Sequence, residues 1–280
     1  MLQYYIFYLL IMDANYKNKD NMSVLAFDVE LDKLVPPYDG DISWELPSKP
    51  KVTCAATCEL ETGKTRTYWS PSEDGSRLAS PQLSQEGLTL LIEDLYSHLC
   101  QGGLVVSWGG TAVDFRALHG SCVDPRLKQM CLYLTLHQID IPFASSSDSG
   151  CMFSLNSAAK AMGLAGKDAS LSSAAPQLWE NGSELDVLGH VQGDAILTAM
   201  VYGRALNSLY NPHPSMSWIT QRGKIKAWKP TIVLHPNSNK PRMQTVDECM
   251  SRPKPIVPFV TPQGMDRDYA IKWLQSEMRK

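Results

Sequence analysis

Long apolar runs are missing from this chain of 280 residues. Its most apolar stretch, MLQYYIFYLLIM at residues 1–12, falls short of the roughly 20 residues that a bilayer-spanning helix needs. It also lacks the basic flank and small-residue cleavage site of a secretory signal. No stable membrane partner is therefore expected. An excess of one charge is missing too: 26 Lys and Arg stand against 29 Asp and Glu, a net charge of −3. That removes a global basic surface for nucleic acid, but not a local one built beside clustered carboxylates. The seven cysteines are scattered and show no doubled pair at zinc-ligand spacing. The closest two, Cys54 and Cys58 in KVTCAATCEL, share a β-like run and read as core residues. Unpaired thiols fit a reducing compartment, so a cytoplasmic location is expected. There is no internal repeat. With 44% hydrophobic and 20% charged residues, the chain can bury a substantial core and is not disordered by composition.

What is present divides into three parts. Residues 1–21 read as an N-terminal extension, residues 22–210 as one α/β domain, and residues 211–280 as a proline-rich C-terminal extension. In the domain, SVLAFDVE at 23–30 reads as a buried strand. A Pro/Gly/Asp loop at 35–50 follows, then strands KVTCAATCEL and TRTYWS joined at ETGK. Leu88, Leu91, Ile92, Leu95 and Leu99 recur at helical spacing, and Gly102 and Gly103 stop that helix. LVVSW is a short buried strand. TAVDFRALHG is a helix with Thr111 as N-cap, and from residue 125 to 210 the pattern is mostly helical. Alternation of this kind predicts helices packed on a mixed sheet. The end of the chain, DRDYAIKWLQSEMRK, reads as a short amphipathic helix.

Three acidic features stand out. Asp28 and Glu30 lie two apart on the first strand, so both side chains leave one face roughly 6–7 Å apart. That spacing suits two carboxylates gripping divalent ions, and equally a strand end meeting water. Asp114 follows the buried strand LVVSW, at the sheet edge where α/β proteins gather ligands. Thr111-x-x-Asp114 also fits a capping box, in which the carboxylate satisfies a free backbone N–H. His190 and Asp194 are spaced i, i+4 and stack on one helix face, heading a stripe continued by Leu197 and Val201. A His–Asp hydrogen bond on the helix surface would explain that pair without any chemistry.

The combination and its order resemble the DEDD superfamily of 3′–5′ exonucleases. LAFDVE at 25–30 is similar to that family's first motif, VVSWGGTAVDFRAL at 105–118 to its second, and LDVLGHVQGDAILTAMVYGRAL at 185–206 to its third. SLNSAAKAMGLAGKDASLSSAAPQLWENG at 154–182 resembles the helices that precede the third motif in family-B-polymerase-like and stand-alone members. The likeness covers about residues 23–210. It implies a ribonuclease H-like mixed central sheet flanked by helices. It also implies two Mg²⁺ or Mn²⁺ ions held by Asp28, Glu30, Asp114 and Asp194, and hydrolysis of the 3′-terminal phosphodiester of single-stranded DNA or RNA to nucleoside monophosphates. The chain departs from the family at His190. In the tyrosine subclass a Tyr stands four residues before the last Asp, and in the histidine subclass a His stands five before it; here His takes the tyrosine spacing. An imidazole there could accept a proton from the attacking water at neutral pH. A catalytically silent nucleic-acid-binding module on the same fold is the alternative expectation.

Smaller expectations complete the reading. Trp108 and Phe115 flank the second motif and could stack on a terminal base, although core packing competes for both. Lys167 could reach a phosphate. Asp140, in HQIDIP, reads as an N-cap. Arg222, Lys224, Lys226 and Lys229, interleaved with Trp218 and Trp228, form a local basic-aromatic cluster suited either to single-stranded nucleic acid or to a solvated hairpin.

Overall fold

The structure is a computed structural model that describes residues 22–33, 49–150, 153–167, 169–207, 217–219, 225–227, 230–253 and 267–279. The expected N-terminal extension at 1–21 and most of the loop at 35–50 lie outside these residues. So do Arg222, Lys224, Trp228 and Lys229.

A mixed sheet of five strands with helices on both faces forms the body, so the α/β expectation holds. Its strands are β1 (Val24–Leu31), β2 (Val52–Glu59), β3 (Thr65–Tyr68), β4 (Leu104–Ser107) and β5 (Ile139–Asp140), in the order β3-β2-β1-β4-β5. The hairpin partners β1, β2 and β3 run antiparallel, whereas β4 and β5 continue parallel to β1. Gly63, at φ +67°, makes the turn between β2 and β3 where ETGK predicts one.

Helices α1 (Gln85–Cys100), α2 (Asp114–Ser121), α3 (Pro125–His137), α4 (Ile141–Ser149), α5 (Leu155–Ala161), α6 (Ala169–Glu180) and α7 (Glu184–Asn207) follow in chain order. The sequence pattern does not reveal β5, and of α4 it marks only the start, at Asp140. Two residues are too few to display a strand period, and α4 is buried nearly all round, so it lacks a polar face. Helix α6 carries Pro176 within it.

The pleat of β1 sorts two cores. Val24 and Ala26 point into one with Cys54, Ala56 and Cys58 of β2 and with Val191, Ala195 and Ala199 of α7. Leu25, Phe27, Val29 and Leu31 point into the other, with the apolar stripe of α1 and with Phe115, Leu118 and Leu127. Small residues on both sides let α7 lie directly across β1 and β2. All described cysteines are free, and Cys54 and Cys58 are core residues. No helix among the described residues is long and apolar enough to cross a membrane.

The C-terminal segment is built into these same cores. It contributes the short strands β6 (Ser217–Ile219), β7 (Ile225–Ala227), β8 (Ile232–Leu234) and β9 (Pro241–Met243), then α8 (Val246–Met250) and α9 (Arg267–Glu277). Met243, Val246, Cys249 and Ile271 enter the first core, and Trp273 and Leu274 the second. The Arg242 guanidinium forks onto Glu248 through two bonds of 2.7 Å, and Thr245 and Glu248 complete a capping box. Helix α9 realises the predicted amphipathic helix. Its Trp273 indole N–H donates to the Thr111 carbonyl at 2.7 Å. Replacing Trp273 with Ala is expected to destabilise the fold by about 3–5 kcal/mol, since it empties a core position; urea unfolding of the two proteins measures this.

Candidate active site

Asp28 and Glu30 stand where β1 outruns its parallel neighbour. Pairing between β1 and β4 ends at Ala26 and Val106, so the next inward-facing positions of that face have no strand on the β4 side. A polar side chain can sit there without breaking a ladder, and both carboxylates are half-buried. The face they leave is the one α7 covers, and α7 supplies His190 and Asp194.

Asp114 arrives from the turn after β4, and a buried polar network shapes that turn. Gly109 adopts φ +86°, which favours glycine. A Cβ on Gly110 would collide with the Ser107 side chain. The Ser107 hydroxyl accepts from Gly110 N–H (3.1 Å) and donates to Gln138 Oε1 (2.7 Å), while Gln138 Nε2 donates to Thr111 Oγ1 (3.2 Å). Asp140 accepts from the backbone N–H groups of Gly109, Thr111 and Phe143 at 3.2, 2.8 and 3.2 Å. It is thus the N-cap of α4, as expected, and also the anchor of the turn.

Two expectations for this turn are corrected. Thr111 is not an N-cap: α2 starts at Asp114, its cap position is Val113, and no side chain caps it. The Thr111 polar groups are already taken by Asp140, Gln138 and Trp273. Nor does Asp114 close a capping box. Its residue is only 4% exposed, and Oδ2 has no hydrogen-bond partner among the described residues. Asp194 Oδ1 is likewise buried without a partner. Buried carboxylate oxygens left bare are costly, so each is suited to accept a hydrogen bond from water or to bind a cation.

The four acids act on one another electrostatically. Burial, then repulsion from Asp194, pushes Asp28 up to about 8 from an ordinary 3.8, with Lys167 pulling the other way. Glu30 is raised by burial and by Asp28 and Asp194. Asp114 is raised by burial and by Asp28, Asp140, Glu30 and Asp194. Side chains from β1, α2 and α7, far apart in sequence, therefore share one electrostatic site.

A cation is present as well: the Lys167 ammonium pairs with Asp194 Oδ2. Lys167 thus sits within the carboxylate cluster. His190 Nε2 lies 3.1 Å from the Ser172 hydroxyl, 3.6 Å from Glu30 Oε1 and 3.9 Å from Asp194 Oδ2. The separation from Asp194 exceeds hydrogen-bonding distance, so a bond within the helix does not account for the pair. Ser172, on α6, was not signalled by the sequence, because a serine among small residues has no distinguishing pattern. Of the aromatic candidates, Trp108 is half-buried against the first core. Phe115 is fully buried 4.8 Å from the Phe27 ring, so it has no face left for stacking a base. Lys226 and Trp218 fall on β7 and β6, outside the sheet that carries the acids.

Hard oxygen donors of this kind suit Mg²⁺ or Mn²⁺. As the side chains stand, no group of three His, Cys, Asp or Glu among the described residues is gathered tightly enough to hold an ion. Comparison with protein families and with curated proteins returned no match for this chain.

A raised carboxyl favours the fold while protonated. The contribution of Asp28 is therefore intact below about pH 4 and is lost as the pH rises toward about 8. Metal-free Asp28→Asn is accordingly expected to melt several degrees above the wild type at alkaline pH. The gap should narrow toward pH 4 in a series of thermal melts.

Proposed function

We propose that this chain is a metal-dependent 3′–5′ exonuclease with a ribonuclease H-like fold, acting on the 3′ end of single-stranded DNA or RNA and releasing nucleoside monophosphates. The observation that carries the reading is the convergence of Asp28, Glu30, Asp114 and Asp194 from three elements, with Asp114 Oδ2 and Asp194 Oδ1 buried and without a hydrogen-bond partner among the described residues. A mixed sheet with an antiparallel hairpin beside parallel β1, β4 and β5 is consistent with that fold. In this reading the four carboxylates hold two Mg²⁺ or Mn²⁺ ions, which would acidify water and offset the charge that develops at phosphorus.

The remaining roles fall to the chain itself. Asp28 and Glu30 give a rigid pair of oxygens because β1 is hydrogen-bonded to β2 along its length. The network under residues 107–113 fixes the position of Asp114. His190, facing the carboxylates through Nε2, accepts the proton of the attacking water. Trp108, half-buried in the turn that leads to Asp114, would in this reading be the aromatic that meets a terminal base.

One observation favours the alternative of a catalytically silent nucleic-acid-binding module: Lys167 already pairs with Asp194. A single assay separates the two. Purified protein with 3′-labelled single-stranded DNA and RNA is expected to release mononucleotides with Mg²⁺ or Mn²⁺ and none with EDTA. Asp114→Asn should lower that rate by about a hundredfold or more. Binding without cleavage in either metal would establish the silent module, and internal cuts would replace the exonuclease with an endonuclease.

A further inference from the structure

Lys167 is positioned by its surroundings. The segment that carries it leaves α5 through Gly163 at φ +70°. It passes Gly166, where an added Cβ would strike the Asn156 and Lys160 side chains of α5. The backbone is thereby held close to α5, and the ammonium is delivered to Asp194, which lies on α7. Its side chain is 22% exposed and that of Asp194 only 7%, so water screens the pair weakly. The ammonium also draws down the Asp28 and Glu30 carboxyls against the effects that raise them. One lysine therefore serves as counter-ion to most of the cluster.

Charge arithmetic indicates when that arrangement ends. Four ionised carboxylates carry −4, and one ammonium leaves them in excess, which fits the raised carboxyls of Asp28, Glu30 and Asp114. Two divalent cations supply +4. With them bound, the ammonium becomes the surplus charge and is repelled. It also occupies Asp194 Oδ2, one of the oxygens a metal would need, while Asp194 Oδ1 and Asp114 Oδ2 stand bare.

We propose that Lys167 is an internal cation that competes with the divalent metal for Asp194: it holds the metal-free site together and must leave Asp194 for the site to load. The proposal rests on the carboxylate cluster being a metal site. It accounts for the absence of any ready-made ligand triad among the described residues, because the Lys167 ammonium, and not a metal ion, is paired with Asp194 Oδ2. Metal affinity would then be a difference between two occupants, weakened by the strength of the internal pair. Ser172 contacts His190 Nε2, the atom that also lies near Glu30 and Asp194, so displacement of Lys167 from Asp194 would occur beside that imidazole.

The test is calorimetric titration of metal-free protein with Mn²⁺, independent of any nuclease assay. Lys167→Met and Lys167→Gln are expected to bind Mn²⁺ on the order of tenfold more tightly than the wild type, the equivalent of removing one charge-assisted bond. Both should melt lower without metal, and Lys167→Arg, which keeps the cation, should restore wild-type affinity. Unchanged or weaker Mn²⁺ binding by both neutral variants overturns the proposal while leaving the exonuclease reading intact. Tighter binding with no cleavage of any strand supports it and removes the exonuclease reading. If neither the wild type nor a neutral variant binds Mn²⁺, both fall together.

Discussion

Repulsion among carboxylates crowded at one sheet edge is the constraint on which the site depends. Burial alone would protonate such groups, and proximity adds to it. Asp28, Glu30 and Asp114 are all raised, each by burial and by the others or Asp194. Such an arrangement weakens the fold unless something compensates. In the structure the compensation is Lys167; in the proposed function it is a pair of divalent cations. Under the proposal, alternation between these two occupants would connect stability to activity.

The rest of the architecture keeps the acids from moving apart. Strand β1 runs beyond β4, so its carboxylates emerge without losing ladder bonds to β2. Helix α7 crosses at the same place because alanine and cysteine side chains line the contact. The Asp114 turn is fastened from below by Asp140 and Gln138 and from the C-terminal segment by Trp273. Residues near 273 thereby reach the backbone at 111, and the proline-rich tail becomes part of the support for the site. Polar groups buried this completely hold one geometry because every alternative leaves some of them unpaired.

Much of this could be read from local pattern. The period-two run of β1 exposes its two acids on one face. Asp140 ahead of Ile-Pro announces a helix start, and the leucine spacing of α1 gives its buried stripe. Thr111 misled, because Thr-x-x-Asp is a capping signature only where the hydroxyl is free to cap, and here Gln138 takes it. Phe115 also misled: its place beside a motif says nothing about which way the ring points, and it packs on Phe27. The role of the C-terminal segment could not be read, since prolines signal turns but not where those turns are docked.

The sequence by itself determined which chemistry is present: acids spaced to share a face on β1, and a histidine and an aspartate stacked on α7. These follow from strand and helix periods, which are local geometry. Only the tertiary structure decided that these faces meet, that Asp114 keeps a bare oxygen, and that Lys167 lies on Asp194. Those facts join residues 27 to 166 positions apart, and such distances are set by how helices dock on the sheet, which no short window of sequence encodes.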